Sequence, residues 1–219
     1  MKKAVRATIA GVDAEAVAGK ARELGVMGWV RPTGEIHAEG SADAVDALID
    51  DVETERAKVE GHEQFGIRGV SAGVFVVQEH QATAHHYDVR LEVDGVMRSW
   101  AVPKGPSLDP AAKRLAVQVE DHALSHNDYE SDSVIVWDRG TYEQGGRVAW
   151  PEALERGHAV FVLHGEKLRG GFALQRTRPG EKPQWLLIKR RDEQALPGSD
   201  VVAEQPRSVI SGSTLDEIS

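Results

Sequence analysis

Cysteine is missing from the 219-residue chain, which rules out disulfides, thiol nucleophiles and cysteine-based zinc sites. Aromatic residues make up 5%, too few for a platform on which the bases of a single strand stack. No apolar run reaches the ~18 residues that a membrane-spanning helix needs. The opening Met1-Lys2-Lys3-Ala4-Val5-Arg6 lacks the apolar core of a signal peptide. A cytoplasmic location without a membrane partner is the expectation. Positive charge is short too: 26 Lys and Arg against 35 Asp and Glu leave a net charge of −9. A body this acidic argues against coating nucleic acid non-specifically, but it leaves room for an enzyme with a small basic pocket.

The residues that are present describe a folded protein. Hydrophobic residues at 41% and charged residues at 28% exclude a disordered or fibrous chain. The length suits one generous domain or two small ones.

Residues 1–72 alternate between strand and helix patterns. Strands are expected at 5–9, 26–30, 35–39, 58–62 and 65–70. Asp13 and Ser41 are N-cap candidates for helices over 14–24 and from 42 onward. The order is βαββαβ with one extra short strand, a ferredoxin-like α+β arrangement of two helices on one antiparallel sheet. From residue 73 the pattern turns to β. Eight short strands are expected at 74–79, 87–93, 96–102, 115–119, 134–138, 159–163, 171–176 and 185–189. Turn residues such as Asp94-Gly95, Pro103-Lys104-Gly105-Pro106 and Asp138-Arg139-Gly140 separate them. That spacing suggests a barrel or sandwich over 73–195. The polar tail, 196–219, is expected to pack loosely outside.

Histidine is unevenly spread. Only His37 and His62 of the nine fall in residues 1–72, so chemistry is expected in the second part. His80, His86 and Asp88 form the mixed nitrogen and oxygen set that suits Mn²⁺, Fe²⁺ or Zn²⁺. His86 and Asp88 share one strand face, and His80 can return to it across a turn. His85 points the other way. Arg90 continues the row, and Ser99, Lys104, Arg114 and His122 lie in the segments that follow. Each cation alone reads as a solvated surface charge, and Lys113 is one. Beside a metal that already holds a carboxylate, they suggest an anion site, with phosphate the natural anion for arginine. His122 can act as general acid or base, or donate to a phosphate oxygen, with Glu120 at the same parity to orient it.

Several blocks carry a resemblance. They are Phe75-Val-Val-Gln-Glu-His80, His86-Tyr-Asp-Val-Arg90-Leu-Glu, Ser99-Trp-Ala-Val-Pro-Lys-Gly-Pro106, Lys113-Arg-Leu-Ala-Val-Gln-Val-Glu-Asp-His122 and Val134-Ile-Val-Trp-Asp-Arg-Gly140. His164-Gly-Glu-Lys-Leu168, Trp185-Leu-Leu-Ile-Lys-Arg-Arg-Asp192 and Pro206-Arg-Ser-Val-Ile-Ser-Gly212 follow. Over residues 73–212 the chain resembles the 3′-phosphoesterase module of bacterial DNA ligase D. The resemblance implies a compact β-barrel that trims DNA 3′ ends with Mn²⁺, removing a terminal ribonucleoside and then the remaining 3′-phosphate during non-homologous end joining. It implies that His80, His86 and Asp88 hold the metal, and that Arg90, Ser99, Lys104, Arg114 and His122 surround the scissile phosphate. It also implies a nucleoid-associated protein whose partners are DNA 3′ ends, with DNA ligase, repair polymerase and a Ku-type end-binding protein acting in trans.

Two departures stand out. The family's phosphate-contacting tyrosine is His126 here, a donor of different reach. The family's Gly/Pro/Tyr-rich loop ahead of the Val134 strand is replaced by the short Asp128-Tyr-Glu-Ser-Asp-Ser133. These motivate an alternative, a catalytically silent module that keeps the metal pocket and binds DNA ends or repair factors. A metal phosphoesterase with another phosphorylated substrate is a third reading.

The front domain resembles acylphosphatase in Leu24-Gly-Val-Met-Gly-Trp-Val-Arg31 and Gly34-Glu-Ile-His-Ala-Glu-Gly40. The family's catalytic arginine falls on Ala14 or Glu15 and its catalytic asparagine on Pro32. Asp13 and Glu15 would repel an acyl phosphate. Acylphosphatase activity is expected to be absent, leaving an interaction or stabilising role.

Overall fold

The computed structural model describes residues 2–218 except 51, 63, 64, 70, 71, 146, 147 and 149, and it also leaves the side chain of residue 72 undescribed. Residue 70, the end of one expected strand, therefore lies outside the described residues.

The first unit runs β1 (Lys2–Thr8), α1 (Ala14–Glu23), β2 (Met27–Val30), β3 (Glu35–Ser41), α2 (Ala42–Leu48), β4 (Thr54–Arg56) and β5 (Phe65–Ile67). The sheet order is β4-β1-β3-β2-β5, antiparallel except for β2 with β5. Both caps form: Asp13 accepts the backbone N–H of Glu15 and Ala16 at 3.1 Å, and Ser41 accepts that of Ala44 at 3.3 Å. These contacts satisfy donors that a helix start leaves open. Ala18, Ala21, Val45, Leu48 and Ile49 pack on Val5, Ile36 and Ala38 to make this unit's core. Gly28 is required where β2 meets β3, because a Cβ there would lie 2.0 Å from the His37 carbonyl oxygen.

The strand expected at 58–62 does not form. A short strand forms earlier, at Thr54–Arg56. The N–H groups of Glu60, Gly61 and His62 all go to the Glu39 carboxylate, so they are not free to join a sheet ladder.

The second unit contains β6 (Ala72–Gln81), β7 (His85–Val93), β8 (Val96–Val102), β9 (Lys113–His122), β10 (Val134–Gly145), α3 (Glu152–Glu155), β11 (His158–Gly165), β12 (Arg169–Arg178) and β13 (Gln184–Lys189). All eight expected strands are present and close into a barrel, in the order β10-β11-β12-β13-β9-β8-β7-β6. Closure leaves no open sheet edge. Alternate residues face inward: Phe75 and Val77, Tyr87, Val89, Leu91 and Val93, then Trp100 and Val102. They join Trp137, Phe161, Phe172 and Trp185 in one core.

Asp138-Arg139-Gly140 is not a turn. It lies within β10, beside a register shift between Val136 and Asp138. The Asp138 carboxylate is fully buried and accepts the N–H groups of Glu166, Lys167 and Leu168 at 3.0, 3.1 and 2.8 Å. It thereby fixes the β11–β12 hairpin. Burial pushes this carboxyl up, and the backbone donors oppose it. Gly140 is needed because a Cβ would meet the His164 carbonyl oxygen at 2.2 Å.

The tail does not pack loosely. It forms α4 (Val201–Glu204) and α5 (Leu215–Ile218), and Val201, Ser208 and Leu215 are buried. Trp137 Nε1 donates to the Gln205 carbonyl at 2.8 Å, and the Val209 N–H donates to that of Val136 at 3.0 Å. The tail therefore seals part of the barrel wall. Among the described residues no helix is long and apolar enough to cross a membrane.

Candidate metal and phosphate site

The even-numbered residues of β7 face outward, away from the packed interior. The pairing of β6 with β7 sets His80 directly opposite His86 and Gln78 opposite Asp88. Paired residues share a sheet face, so His80, His86 and Asp88 converge. One ligand atom from each lies within 4.8 Å of the others. His80 Nδ1 is 3.6 Å and His86 Nε2 3.4 Å from the Asp88 carboxylate. His86 Nδ1 lies 2.8 Å from the Ala84 carbonyl oxygen, which can only accept. The ring proton therefore sits on Nδ1, and Nε2 turns its lone pair to the group. This donor set fits a divalent transition ion. His85 points to the other face, where its Nε2 lies 2.8 Å from Glu79.

Arg90 follows on the same face and is almost fully buried. Its Nη2 donates to Asp88 at 3.0 Å, Nη1 to Ser99 Oγ at 2.8 Å, and Nε to Gln78 Oε1 at 3.1 Å. Burial pushes the guanidinium down and the Asp88 charge opposes it. A buried ion pair holds better when further hydrogen bonds support it, and Gln78 and Ser99 each accept one from the guanidinium. Ser99 donates in turn to the Met97 carbonyl at 3.0 Å.

The row sits on the outer wall yet is covered. The segment after β9, with a 3₁₀ turn at Leu124–His126, lies over it as a strap. Gln78 Nε2 donates to the carbonyls of His126 and Tyr129 at 3.2 and 3.1 Å. Glu130 accepts from the Val136 N–H and from Ser208, tying the strap to wall and tail. Val76, Met97 and Val136 form a small apolar cluster beneath Val209.

His122 joins the row through Ser99, with Nδ1 3.4 Å from Oγ. What orients its ring is not the Glu120 carboxylate. It is the Glu120 backbone carbonyl, 2.8 Å from Nδ1, which leaves Nε2 as the accepting nitrogen of the neutral ring. His122 also lines a groove of about 750 Å³ with Gln118, Glu120 and Lys182.

The side chains of three expected site residues make no hydrogen bond or ion pair with the row among the described residues. Lys104 is exposed in the turn after β8, beyond Val102, which pairs with Tyr87. Arg114 pairs with the core residue Leu187 and so takes the inward parity, with a buried Nε that has no partner. His126 is exposed and meets the row through its carbonyl rather than its ring. Sequence reasoning missed Gln78, although its parity with His80 on β6 was the available signal.

Comparisons with known proteins agree with the motif blocks. Residues 78–176 match the family described as the DNA Ligase D 3′-phosphoesterase domain. The chain is 49% identical over 159 residues to the multifunctional non-homologous end joining protein LigD of Pseudomonas aeruginosa, covering 64% of this chain and 18% of that protein. It is 38% identical over 133 residues to the protein of the same description from Mycolicibacterium smegmatis, covering 54% of this chain and 17% of the relative. The multifunctional non-homologous end joining DNA repair protein LigD of Mycobacterium tuberculosis is 37% identical over 128 residues, covering 54% and 16%. The resemblance is therefore borne out over the barrel, and the chain spans less than a fifth of the length of these curated relatives.

Proposed function

We propose that the protein is a metal-dependent phosphoesterase that trims the 3′ ends of DNA during non-homologous end joining. One observation carries the reading: two imidazoles and a carboxylate converge beside a buried arginine whose neighbours hold it in place. The likeness to the DNA Ligase D 3′-phosphoesterase domain supports it.

His80, His86 and Asp88 would hold the ion, with Mn²⁺ the expected one. A bound divalent ion there supplies Lewis acidity, drawing charge from a phosphoryl oxygen. The chain's own residues do the rest. Arg90 has five N–H groups. Three are engaged by Gln78, Ser99 and Asp88, which leaves two for phosphate oxygens. Because those three contacts fix the guanidinium, it need not reorganise as charge builds on the phosphate. His122, oriented by the Glu120 carbonyl, would take up a proton at Nε2 and, once protonated, would hand it to the leaving oxygen. Lys104, outside the network, would take a flanking phosphate, His126 stands at the rim, and Arg114, at the inward parity, is given no phosphate contact. The acidic net charge of −9 favours weak, salt-sensitive DNA binding through a small pocket.

The partners of this reading are DNA 3′ ends, with ligase, polymerase and a Ku-type protein acting on the same break. The exposed His126 ring and the short strap favour one second reading, a silent end-binding module. The first unit is assigned a ferredoxin-like arrangement without acylphosphatase activity, and turnover of a small acyl phosphate would overturn that.

The test uses a 5′-labelled primer-template ending in one 3′-ribonucleotide, incubated with protein and Mn²⁺. The expected result is stepwise shortening to a 3′-phosphate and then a 3′-hydroxyl, lost with His80→Ala and with a chelator. An unchanged primer with metal still bound would transfer the reading to the silent module.

A further inference from the structure

The first unit holds a second group of metal-ligating side chains that the barrel chemistry does not use. His37, on β3, is fully buried. Glu60 and His62 stand in the segment after β4, their side chains 5% and 6% exposed. One ligand atom from each of the three lies within 4.8 Å of the others.

His37 Nδ1 has no hydrogen-bond partner, which is unusual for a buried polar atom. Its other nitrogen, Nε2, lies 3.5 Å from the Glu39 carboxylate. A carboxylate favours the proton on that nitrogen, so Nδ1 presents a lone pair. That lone pair is 3.8 Å from Glu60 Oε1, another electron-pair donor. Two donors facing each other inside a protein call for a cation between them.

The group is built rather than incidental. Glu39 accepts the N–H groups of Glu60, Gly61 and His62, and so places both Glu60 and His62. Arg6 Nη2 holds Glu60 Oε1 at 2.8 Å, and His62 Nε2 meets Oε2 at 2.7 Å. An ion can reach the group from outside, because Glu39, Glu60 and His62 line a cleft of about 1060 Å³ shared with Asp109, Arg191 and Asp192.

We propose that His37, Glu60 and His62 form a second metal site, which takes one divalent transition ion of the zinc class and clips the 58–62 segment to β3. Two imidazoles and one carboxylate suit zinc better than the hard ions, which prefer oxygen. Glu39 behind His37 supplies the carboxylate that commonly orients a ligating imidazole. Binding replaces the His62–Glu60 hydrogen bond: Nε2 gives its lone pair to the ion, and the neutral ring carries its one proton on Nδ1.

The test counts zinc bound to the untagged full-length chain after chelator stripping and dialysis against Zn²⁺. It compares the wild type with His86→Ala, which removes the barrel group, and with His86→Ala/His62→Asn. The His86→Ala protein is expected to keep one zinc per chain and the double variant none, with matching circular dichroism. Cobalt substitution is expected to give a visible ligand-field band in His86→Ala and none in the double variant. Should His62→Asn fail to fold, Glu60→Gln in the same background is expected to weaken zinc binding at least about tenfold. Zinc retained by a folded double variant, affinity unchanged by Glu60→Gln, or none bound by His86→Ala would overturn the proposal.

Discussion

Two groups of two histidines and a carboxylate occur among the described residues, and they are built on opposite principles. His80, His86 and Asp88 sit on an exterior wall, next to a buried arginine with two donors to spare. His37, Glu60 and His62 sit inside the first unit, with Glu39 behind them and Trp29 stacked on His37 at 6.1 Å. The first group faces a place where an anion fits. The second has its carboxylate held by Arg6 and its backbone held by Glu39. On the readings proposed above, similar ligand sets serve different ends: one for turnover, the other for holding a segment that lacks a strand.

Substitutions can break or sharpen this contrast. The largest effect is expected from Asp88→Asn, which should lower 3′-end trimming by about 10³-fold or more, because metal assistance is worth several kcal/mol. The melting temperature should fall as well, because Arg90 loses the charge it is buried against, while circular dichroism should still show a folded protein. Trimming rates that barely move would place the chemistry elsewhere. Arg90→Lys keeps the charge but loses the fork, and a fall of about 10²–10³-fold is expected in single-turnover assays. Gln78→Ala removes a residue that orients Arg90 and ties down the strap. A loss of about 10–100-fold is expected, comparable to deleting a partner behind a metal ligand.

His37→Ala should behave in the reverse way, leaving trimming rates intact while costing about 1–3 kcal/mol in denaturant unfolding. Equal damage to trimming from His37→Ala and Asp88→Asn would erase the distinction between the two groups.

The smallest effect concerns the contact between the two units, where Arg31 pairs with Glu143. Burial pushes the Glu143 carboxyl up, but the Arg31 hydrogen bond and charge, with His164 beside it, hold it below its ordinary value of 4.5. A depressed acid stabilises the fold above its ordinary value and loses that contribution as pH falls below that value and through the lowered folded one. Glu143→Gln should therefore melt slightly below wild type at pH 7, by at most about 1 kcal/mol, and the gap should close below pH 4.5.

Parity made much of this legible beforehand. His86, Asp88 and Arg90 share a face because a strand repeats every two residues, and the eight strands announced themselves by alternation and turn residues. What escaped depended on closure through space. Gln78 matters because the strap returns over β6. The 58–62 segment is claimed by Glu39, some twenty residues earlier in sequence. Asp138-Arg139-Gly140 reads as a turn, yet it serves a hairpin nearly thirty residues on. His37 and His62 are the only two histidines of residues 1–72, and their number directs attention to the second part, although the sheet and Glu39 bring their rings to 5.4 Å. Local pattern reports which face a residue takes; it does not report which distant carbonyl or carboxylate will meet it.

The placing of the row on the outside of a filled barrel has a consequence for how such a protein can change. Along His85–Val93, neighbouring positions answer to different selective pressures. Tyr87, Val89, Leu91 and Val93 are accountable to folding, while His86, Asp88 and Arg90, on the proposed function, are accountable to turnover. A saturation scan of this strand should alternate, one position losing mainly abundance and the next losing mainly rate. A lineage can then retune its substrate by editing the strap and every second residue, while the interior that keeps the molecule folded is inherited untouched.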